Sequence, residues 1–119
     1  MTCKVHKSPV HGLGLFAEEP ILKGERSYYS LPIYIHGADI FEQLLIDDRF
    51  FVFDNIYDLR ESELQYLNHS DNPNMDYEEE GIKIRLEALR DIRKDEEIFI
   101  NYGWSEERKK EVFEREAKN

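Results

Sequence analysis

The sequence predicts a single β-rich α+β domain made of short strands and one or two short helices. A chain of 119 residues has room for one hydrophobic core, so residues 1–119 are expected to form one domain. Hydrophobic residues make up 40% of the chain and aromatic residues 13%, which favours a folded protein although 35% of the residues are charged. Several short runs alternate apolar with polar or small residues, and this alternation is typical of strands.

The strands are predicted from these alternating runs. Two extended pieces are expected on either side of a turn at residues 8–12. Residues 28–35 are aromatic and β-branched, but Pro32 makes them an edge strand or a bulged one. Further strands are predicted at residues 50–53, 82–86 and 98–100.

Helices are predicted where apolar residues recur at helical spacing. This spacing occurs at residues 38–46, and residues 59–67 favour a second short helix. From Ser105 onward the chain again favours a helix, with Ser105 as the N-cap. The apolar face of this last segment is thin, so it is expected to need a partner surface, and a homodimer is one arrangement that the sequence leaves open.

The net charge of −10 restricts the partners that the protein is expected to bind. The chain has 26 acidic and 16 basic residues. Such a surface repels nucleic acid backbones and anionic membranes and attracts lysine- and arginine-rich proteins. Solubility alone is the alternative explanation of the acidity. In either case we expect no direct nucleic acid binding and no membrane association.

Cysteine and histidine usage gives no sign of a metal site. Cys3 is the only cysteine, which excludes internal disulfides and a cysteine-based zinc cluster. The four histidines are scattered without the close spacing of metal ligands. No apolar run approaches the roughly 20 residues that span a bilayer, and no signal peptide is evident. We therefore expect a metal-free protein of a reducing compartment, the cytoplasm.

The first of three informative segments is His11-Gly12-Leu13-Gly14-Leu15-Phe16-Ala17. Two glycines let the backbone come close to a ligand, because no Cβ intervenes at those positions. A third glycine is absent, with Ala17 at the expected position, so the segment is not a dinucleotide-binding loop. Taken alone, it also suits a plain hairpin turn.

The second and third segments lie about thirty residues apart. Residues 68–74, Asn-His-Ser-Asp-Asn-Pro-Asn, are rich in side chains that bond nearby backbone groups. An ordinary turn is the alternative, although the apolar Tyr66 and Leu67 directly precede them. Residues 97–103 read as a strand that ends on Tyr102 and Gly103. A polar loop beside a strand-end tyrosine favours a small-molecule pocket with a hydroxyl pointing into it.

In this order and spacing, the three segments resemble the SET-domain protein lysine methyltransferases. The resemblance is to the minimal viral and bacterial type, which lacks a zinc-binding cysteine cluster after the domain. It covers nearly the whole chain and includes Lys7-Ser8-Pro9 and Lys23-Gly24-Glu25. It implies a SET domain with a β-clip-like fold of short strands, in which the C-terminal strand threads under a loop to form a pseudoknot.

The resemblance also implies roles for individual residues. S-adenosylmethionine would contact His11, Gly12 and Leu13 through the backbone, Asn68 would hold its methionine part, and the backbone of His69 would hold its adenine. The active-site tyrosine would be Tyr102, which would orient the lysine amine and the methyl group rather than act as a conventional base.

The lysine substrate would reach this tyrosine through a channel. Methyl transfer from a sulfonium to a neutral amine depends on alignment, and an apolar aromatic channel lowers the pKa of the amine by desolvation. Candidate channel residues are Tyr77, Ile100 and Trp104, each of which could equally serve in core packing.

Three positions depart from the family pattern. Family members often have cysteine at the position of Asp71 and aspartate at that of Asn101, and the usual arginine before the pseudoknot is Gln65 here. Asp71 fits the absence of the zinc cluster, whose place as a lid over the cofactor would pass to residues 105–119.

The leading functional prediction is an S-adenosylmethionine-dependent protein lysine N-methyltransferase. Its substrate would be a basic protein or peptide, either a histone tail or another lysine-rich protein. If the source is a virus, the site of action would be the host cytoplasm or nucleus. The alternatives are a catalytically silent SET-like module that binds a basic peptide or the cofactor, and an unrelated acidic β-rich protein that sequesters a basic partner.

Overall fold

The computed structural model describes residues 1–34, 50–53 and 55–103. Two predicted helices, at residues 38–46 and 105–119, lie outside the described residues, and so does Trp104. The described part of the chain forms short strands and one 3-10 helix, Glu63–Tyr66. The strands are β1 (Cys3–Lys7), β2 (Leu13–Ala17), β3 (Arg26–Tyr29), β4 (Ile33–Tyr34), β5 (Phe50–Val52), β6 (Ile56–Asp58), β7 (Asn68–His69), β8 (Met75–Glu80), β9 (Lys83–Ala88) and β10 (Phe99–Ile100).

The strands form four small sheets in the described part of the chain. Strands β1 and β2 form an antiparallel hairpin, β3-β9-β8 and β4-β6-β5 form antiparallel three-stranded sheets, and β7 and β10 form a parallel pair. This architecture confirms the predicted β-rich α+β class.

The β1–β2 hairpin confirms the two extended pieces expected around residues 8–12. Lys7 pairs with Leu13, and the backbone N–H of Ser8 donates to the carbonyl oxygen of Gly12 at 2.8 Å. Gly12 has a φ of 46°, in the left-handed region where glycine is favoured. The hairpin therefore presents residues 11–13 at a tightly held turn.

Strand β9 confirms the alternation at residues 82–86, with a shift toward its C-terminal side. Ile84, Leu86 and Ala88 are buried. Gly81 and Ile82 form the turn that joins β8 to β9, with Gly81 at a φ of 66°. Strand β8 was not predicted, because its sequence MDYEEE is acidic and has low strand propensity. It forms because all six of its residues pair with β9.

One predicted helix and one predicted strand are longer than the elements that the structure contains at those positions. The helix expected at residues 59–67 is only the four-residue 3-10 helix, which begins after Ser62, whose hydroxyl accepts from the N–H of Leu64. Leu67 is already extended, at φ −64° and ψ 120°, because the chain then enters β7. The strand expected at residues 28–35 is split into β3 and β4, which join different sheets, and Pro32 lies in the break.

One core joins these sheets. Its buried members come from β2, β6, β9, β10 and the segments between them, and the largest fully buried side chains include Leu15, Tyr57, Met75, Leu86 and Ile100. In the parallel pair, Phe99 lies opposite Asn68 and Ile100 opposite His69. The fold thus brings the two diagnostic segments of the sequence, 68–74 and 97–103, side by side.

Candidate functional site

The side-chain amide of Asn68 ties the polar loop to the β1–β2 turn. Asn68 is 6% exposed, and its Nδ2 donates to the carbonyl oxygens of His11 at 3.1 Å and Leu13 at 3.2 Å, and to Oε2 of Glu97 at 2.8 Å. Since all three neighbours are acceptors, the group facing them must be the NH2 and not the oxygen. Asn68 thus connects three segments that are far apart in sequence.

The orientation of this amide leaves Oδ1 as an open acceptor. Within residues 1–34, 50–53 and 55–103, no group donates a hydrogen bond to Oδ1 of Asn68, and the atom is not enclosed. An amide oxygen held rigidly in this way can accept from a ligand N–H or an ammonium group. The arrangement therefore fits a ligand with a positively charged donor.

Glu97 is the buried anion behind Asn68. The residue is 7% exposed, and its two carboxylate oxygens accept from the hydroxyl of Ser8 at 2.8 and 3.0 Å. Gly14 lies against this carboxylate, since a Cβ at that position would be 2.5 Å from Oε2 of Glu97. The second glycine of the glycine motif therefore leaves room for this carboxylate inside the protein.

Asn74 connects the end of the polar loop to the last strand. It is 1% exposed, its Nδ2 donates to the backbone oxygen of Glu97 at 2.8 Å, and its Oδ1 accepts from the N–H of Phe99 at 2.8 Å. The amide side chain replaces the backbone pairing that the strand would otherwise need there. Asn74 thus fixes the position of the segment that leads to Tyr102.

Tyr102 follows β10, and hydrogen bonds to Leu67, His69 and Tyr77 hold it beside β7. Its hydroxyl donates to the carbonyl oxygen of Leu67 at 2.5 Å, and its N–H donates to Nδ1 of His69 at 3.0 Å. Its own carbonyl accepts from the hydroxyl of Tyr77 at 3.0 Å. Because the phenolic proton of Tyr102 is directed to Leu67, the hydroxyl oxygen can act toward a substrate only as an acceptor.

The contacts of His69 fix its neutral tautomer. Nδ1 accepts from the backbone of Tyr102, so Nδ1 carries no proton and Nε2 carries it. Nε2 lies 2.9 Å from Oδ1 of Asp71 and donates to it. The imidazole ring also packs against the ring of Tyr102, at 5.1 Å between centroids.

An aromatic cluster borders Tyr102. The ring of Tyr77 lies 4.6 Å from that of Phe51 and 5.7 Å from that of Phe53. Burial raises the pKa of Tyr77 to about 12, with further contributions from the charges of Glu78 and Asp76. The Tyr77 hydroxyl therefore stays protonated at neutral pH and remains a donor.

The remaining predicted site residues have different surroundings. Gly12 forms part of the β1–β2 turn, while Ile100 is fully buried in the core on β10. Among the departures, the Asn101 side chain is exposed and accepts from the N–H of Gly103 at 2.9 Å. Gln65 donates to the backbone oxygens of Arg60 and Ser62.

Sequence reasoning gave no role to three residues that hold the site together. Ser8, Asn74 and Glu97 all lie within the quoted motifs, and each joins segments distant in sequence. A serine next to a glycine motif and an acid at a strand start were the available signals, but neither reveals its partner. Among the described residues, no group of three or more His, Cys, Asp or Glu side chains could hold a metal ion.

Comparison with known proteins agrees with this geometry. The sequence profile of the SET domain matches residues 12–103, well over half of the chain. The chain belongs to the SET domain family. No curated protein matches the sequence significantly.

Solved structures resemble this SET domain over most of its length. A Plasmodium falciparum protein, provisionally described as a histone methyltransferase, is 28% identical with a TM-score of 0.65, and the match covers 87% of this chain and 99% of that one. An active polycomb repressive complex 2 in the basal state is 25% identical with a TM-score of 0.72, over 87% of this chain. A humanized mutant of the Chaetomium thermophilum complex bound to the inhibitor GSK126 is 26% identical with a TM-score of 0.69, over 86% of this chain.

The two polycomb proteins are much longer than this SET domain, because the match covers 15% of each of those chains. The neighbours confirm the SET fold predicted from the motifs. In the part of the chain that the structure describes, no helix is long and apolar enough to cross a membrane.

Proposed function

We propose that this SET domain is an S-adenosylmethionine-dependent protein lysine N-methyltransferase. The observation that carries the proposal is that two adjacent residues, Leu67 and Asn68, hold the two groups that the reaction needs. Asn68 on β7 faces the glycine turn, and the carbonyl of Leu67 directly before it holds the hydroxyl of Tyr102. The group proposed to bind the cofactor and the hydroxyl proposed to orient the substrate are therefore held at neighbouring positions of the chain.

The residues that would hold the cofactor fit its chemistry. S-adenosylmethionine, when bound, supplies a methyl group on a positively charged sulfur. Oδ1 of Asn68 is an open acceptor for the cationic amino group of its methionine part, and the residues 11–13 backbone lies beside it. The backbone of His69 would hold the adenine, as the resemblance implies.

Tyr102 and its neighbours would prepare the lysine. Methyl transfer would require the lysine amine to be neutral and aligned, because its nitrogen lone pair forms the new bond to carbon as the sulfur leaves. The Tyr102 oxygen can accept from an amine N–H, which orients the lone pair. The aromatic rings of Phe51, Phe53 and Tyr77, which pack together, would exclude water from the lysine and thereby favour the neutral amine.

The substrate is proposed to be a basic protein or peptide. The net charge of −10 would attract a lysine-rich segment and raise its association rate. Two of the structural neighbours are polycomb repressive complexes and a third is described as a histone methyltransferase, which supports a histone tail as one candidate. Such a substrate would be met in the cytoplasm or the nucleus.

Labelled S-adenosylmethionine and a panel of basic proteins test the proposal. The unmodified protein is expected to transfer label to at least one of them, and Tyr102→Phe to transfer far less. Tyr28→Phe is the matched control, because Tyr28 is 48% exposed on β3. Cofactor binding without transfer to any protein would support a catalytically silent module, and no cofactor binding would overturn the proposal.

A further inference from the structure

Glu97 is a buried charged residue to which the proposed chemistry gives no role. Within the described residues, its carboxylate makes no hydrogen bond to the Tyr102 hydroxyl. It contacts Ser8, Gly14 and Asn68 instead. Burying a carboxylate is costly unless donors or a cation compensate it. The hydrogen-bond partners of Glu97 therefore indicate the role of its negative charge.

The hydrogen bonds show that Glu97 is present as the carboxylate. The Ser8 hydroxyl oxygen already accepts from the N–H groups of Val10 and His11, so its proton must point to Glu97. The Asn68 NH2 group can only donate. Both oxygens of Glu97 consequently act as acceptors.

Neutral groups alone compensate this charge in the described structure. Among residues 1–34, 50–53 and 55–103, no Lys, Arg or His forms an ion pair with Glu97. The negative charge lies one hydrogen bond behind the Asn68 amide, whose oxygen is the open acceptor. An anion that accepts from the NH2 polarises the amide and makes its oxygen a stronger acceptor.

We propose that Glu97 is a positioning residue that supplies the buried counter-charge of the cofactor pocket. Through Asn68, it makes the pocket select ligands that carry the α-ammonium group of the methionine moiety. This inference rests on the proposed function, since it names what one side of the same pocket recognises. Glu97 itself does not touch the ligand.

Calorimetric titration with two nucleosides tests the role of Glu97. S-adenosylhomocysteine carries the α-ammonium group, and 5′-methylthioadenosine lacks the whole amino acid part. Glu97→Gln keeps the shape but removes the charge, and is expected to weaken S-adenosylhomocysteine about tenfold or more while 5′-methylthioadenosine changes less than about twofold. Equal weakening of both ligands, or of neither, would overturn the inference.

Glu79→Gln is the matched control. Oε2 of Glu79 accepts from the hydroxyl of Tyr57 at 2.6 Å and the side chain of Asn55 at 3.1 Å, and Glu79, on β8, makes no hydrogen bond to Asn68. The control is expected to keep the ligand preference of the unmodified protein. Loss of the preference in Glu79→Gln as well would show that the effect is not specific to Glu97.

A measurement on the unmodified protein covers the case in which Glu97→Gln does not fold. The side-chain carboxylate carbon resonance of Glu97 is expected to shift on addition of S-adenosylhomocysteine and not on addition of 5′-methylthioadenosine. No shift with S-adenosylhomocysteine would overturn the inference. If the unmodified protein binds neither nucleoside, the proposed function fails. If it binds both but the Glu97 resonance does not shift, only this inference fails.

Discussion

The hydroxyl of Tyr102 donates to the carbonyl oxygen of Leu67 at 2.5 Å, and this bond joins the last described segment to the strand that carries Asn68. The same hydroxyl is the group proposed to orient the lysine. One side chain therefore has a structural and a chemical function, and the two can be measured separately.

Tyr102→Phe is expected to reduce activity much more than stability. Loss of the bond to Leu67 should lower the free energy of unfolding by about 1 kcal/mol. Loss of the substrate-orienting oxygen should lower the methyl-transfer rate about 10- to 100-fold with cofactor affinity retained. Urea unfolding, cofactor titration and single-turnover transfer measure the three quantities. A rate that falls only in proportion to the folded fraction would contradict the chemical role of Tyr102.

Asn74→Ala is expected to be strongly destabilising. The substitution removes both amide bonds, to the backbone oxygen of Glu97 and from the N–H of Phe99, in a residue that is 1% exposed. Two unsatisfied buried backbone groups should cost about 2–4 kcal/mol of unfolding free energy.

Asn72→Ala is the control for Asn74→Ala. Asn72 is exposed in the same loop and donates through its backbone N–H to the hydroxyl of Ser70, so a change within about 0.5 kcal/mol is expected. Denaturant midpoints give both values, and similar losses in the two variants would show that Asn74 has no special structural role.

Gly14→Ala is expected to disturb the pocket through Glu97. The new Cβ would be 2.5 Å from Oε2 and 2.9 Å from Cδ of Glu97, so the carboxylate must shift, and its hydrogen bond with Asn68 is expected to weaken. We expect weaker binding of S-adenosylhomocysteine together with a loss of about 1–3 kcal/mol in stability. Titration calorimetry and thermal unfolding measure the two effects.

Gly81→Asn tests whether any glycine substitution would act like Gly14→Ala. Gly81 lies in the β8–β9 turn at a φ of 66°, with no atom within 4 Å of a new Cβ. Asparagine tolerates that backbone conformation, so ligand binding should remain unchanged. Unchanged binding in Gly14→Ala would mean that Glu97 shifts without releasing Asn68.

Alkaline pH is expected to destabilise the fold in part through Tyr77. Burial raises the pKa of Tyr77 from about 10 to about 12 in the folded state. The unfolded chain therefore loses this proton first, and the contribution of Tyr77 is full below pH 10 and is lost as the pH rises toward 12. Urea midpoints between pH 8 and pH 12 measure the decline, which should be shallower in Tyr77→Phe. An equal decline of the urea midpoint with pH in both proteins would show that a group other than Tyr77 causes the loss of stability.

Asp71 is expected to have a small effect although it departs from the family pattern. Its side chain is 77% exposed, so the bond to His69 should contribute less than about 1 kcal/mol. In Asp71→Ala, His69 should keep the tautomer with the proton on Nε2, because the N–H of Tyr102 still donates to Nδ1. Nitrogen-15 chemical shifts of the imidazole report the tautomer. A proton on Nδ1 in the variant would show that Asp71 controls the ring.

Local patterns predicted some elements well and others poorly. Alternation identified β2 and β9, since the period of side-chain burial is a local property of a strand. It missed β8, whose acidic residues pair only because β9 lies beside them, and it overextended the 3-10 helix, which ends where Leu67 must enter β7. Tertiary pairing overrides propensity in both places.

The sequence by itself determined the family, the position of Asn68 and Tyr102 in two diagnostic segments, and the acidity that favours a basic partner. Only the tertiary structure decided that Glu97 lies behind Asn68 and that Leu67 holds Tyr102. Those contacts join residues 29 and 35 positions apart, and the Ser8 contact with Glu97 spans 89. The spacing of apolar residues in the sequence indicates which face of a helix or strand is buried. Which distant residue contacts that face depends on the packing of the whole core.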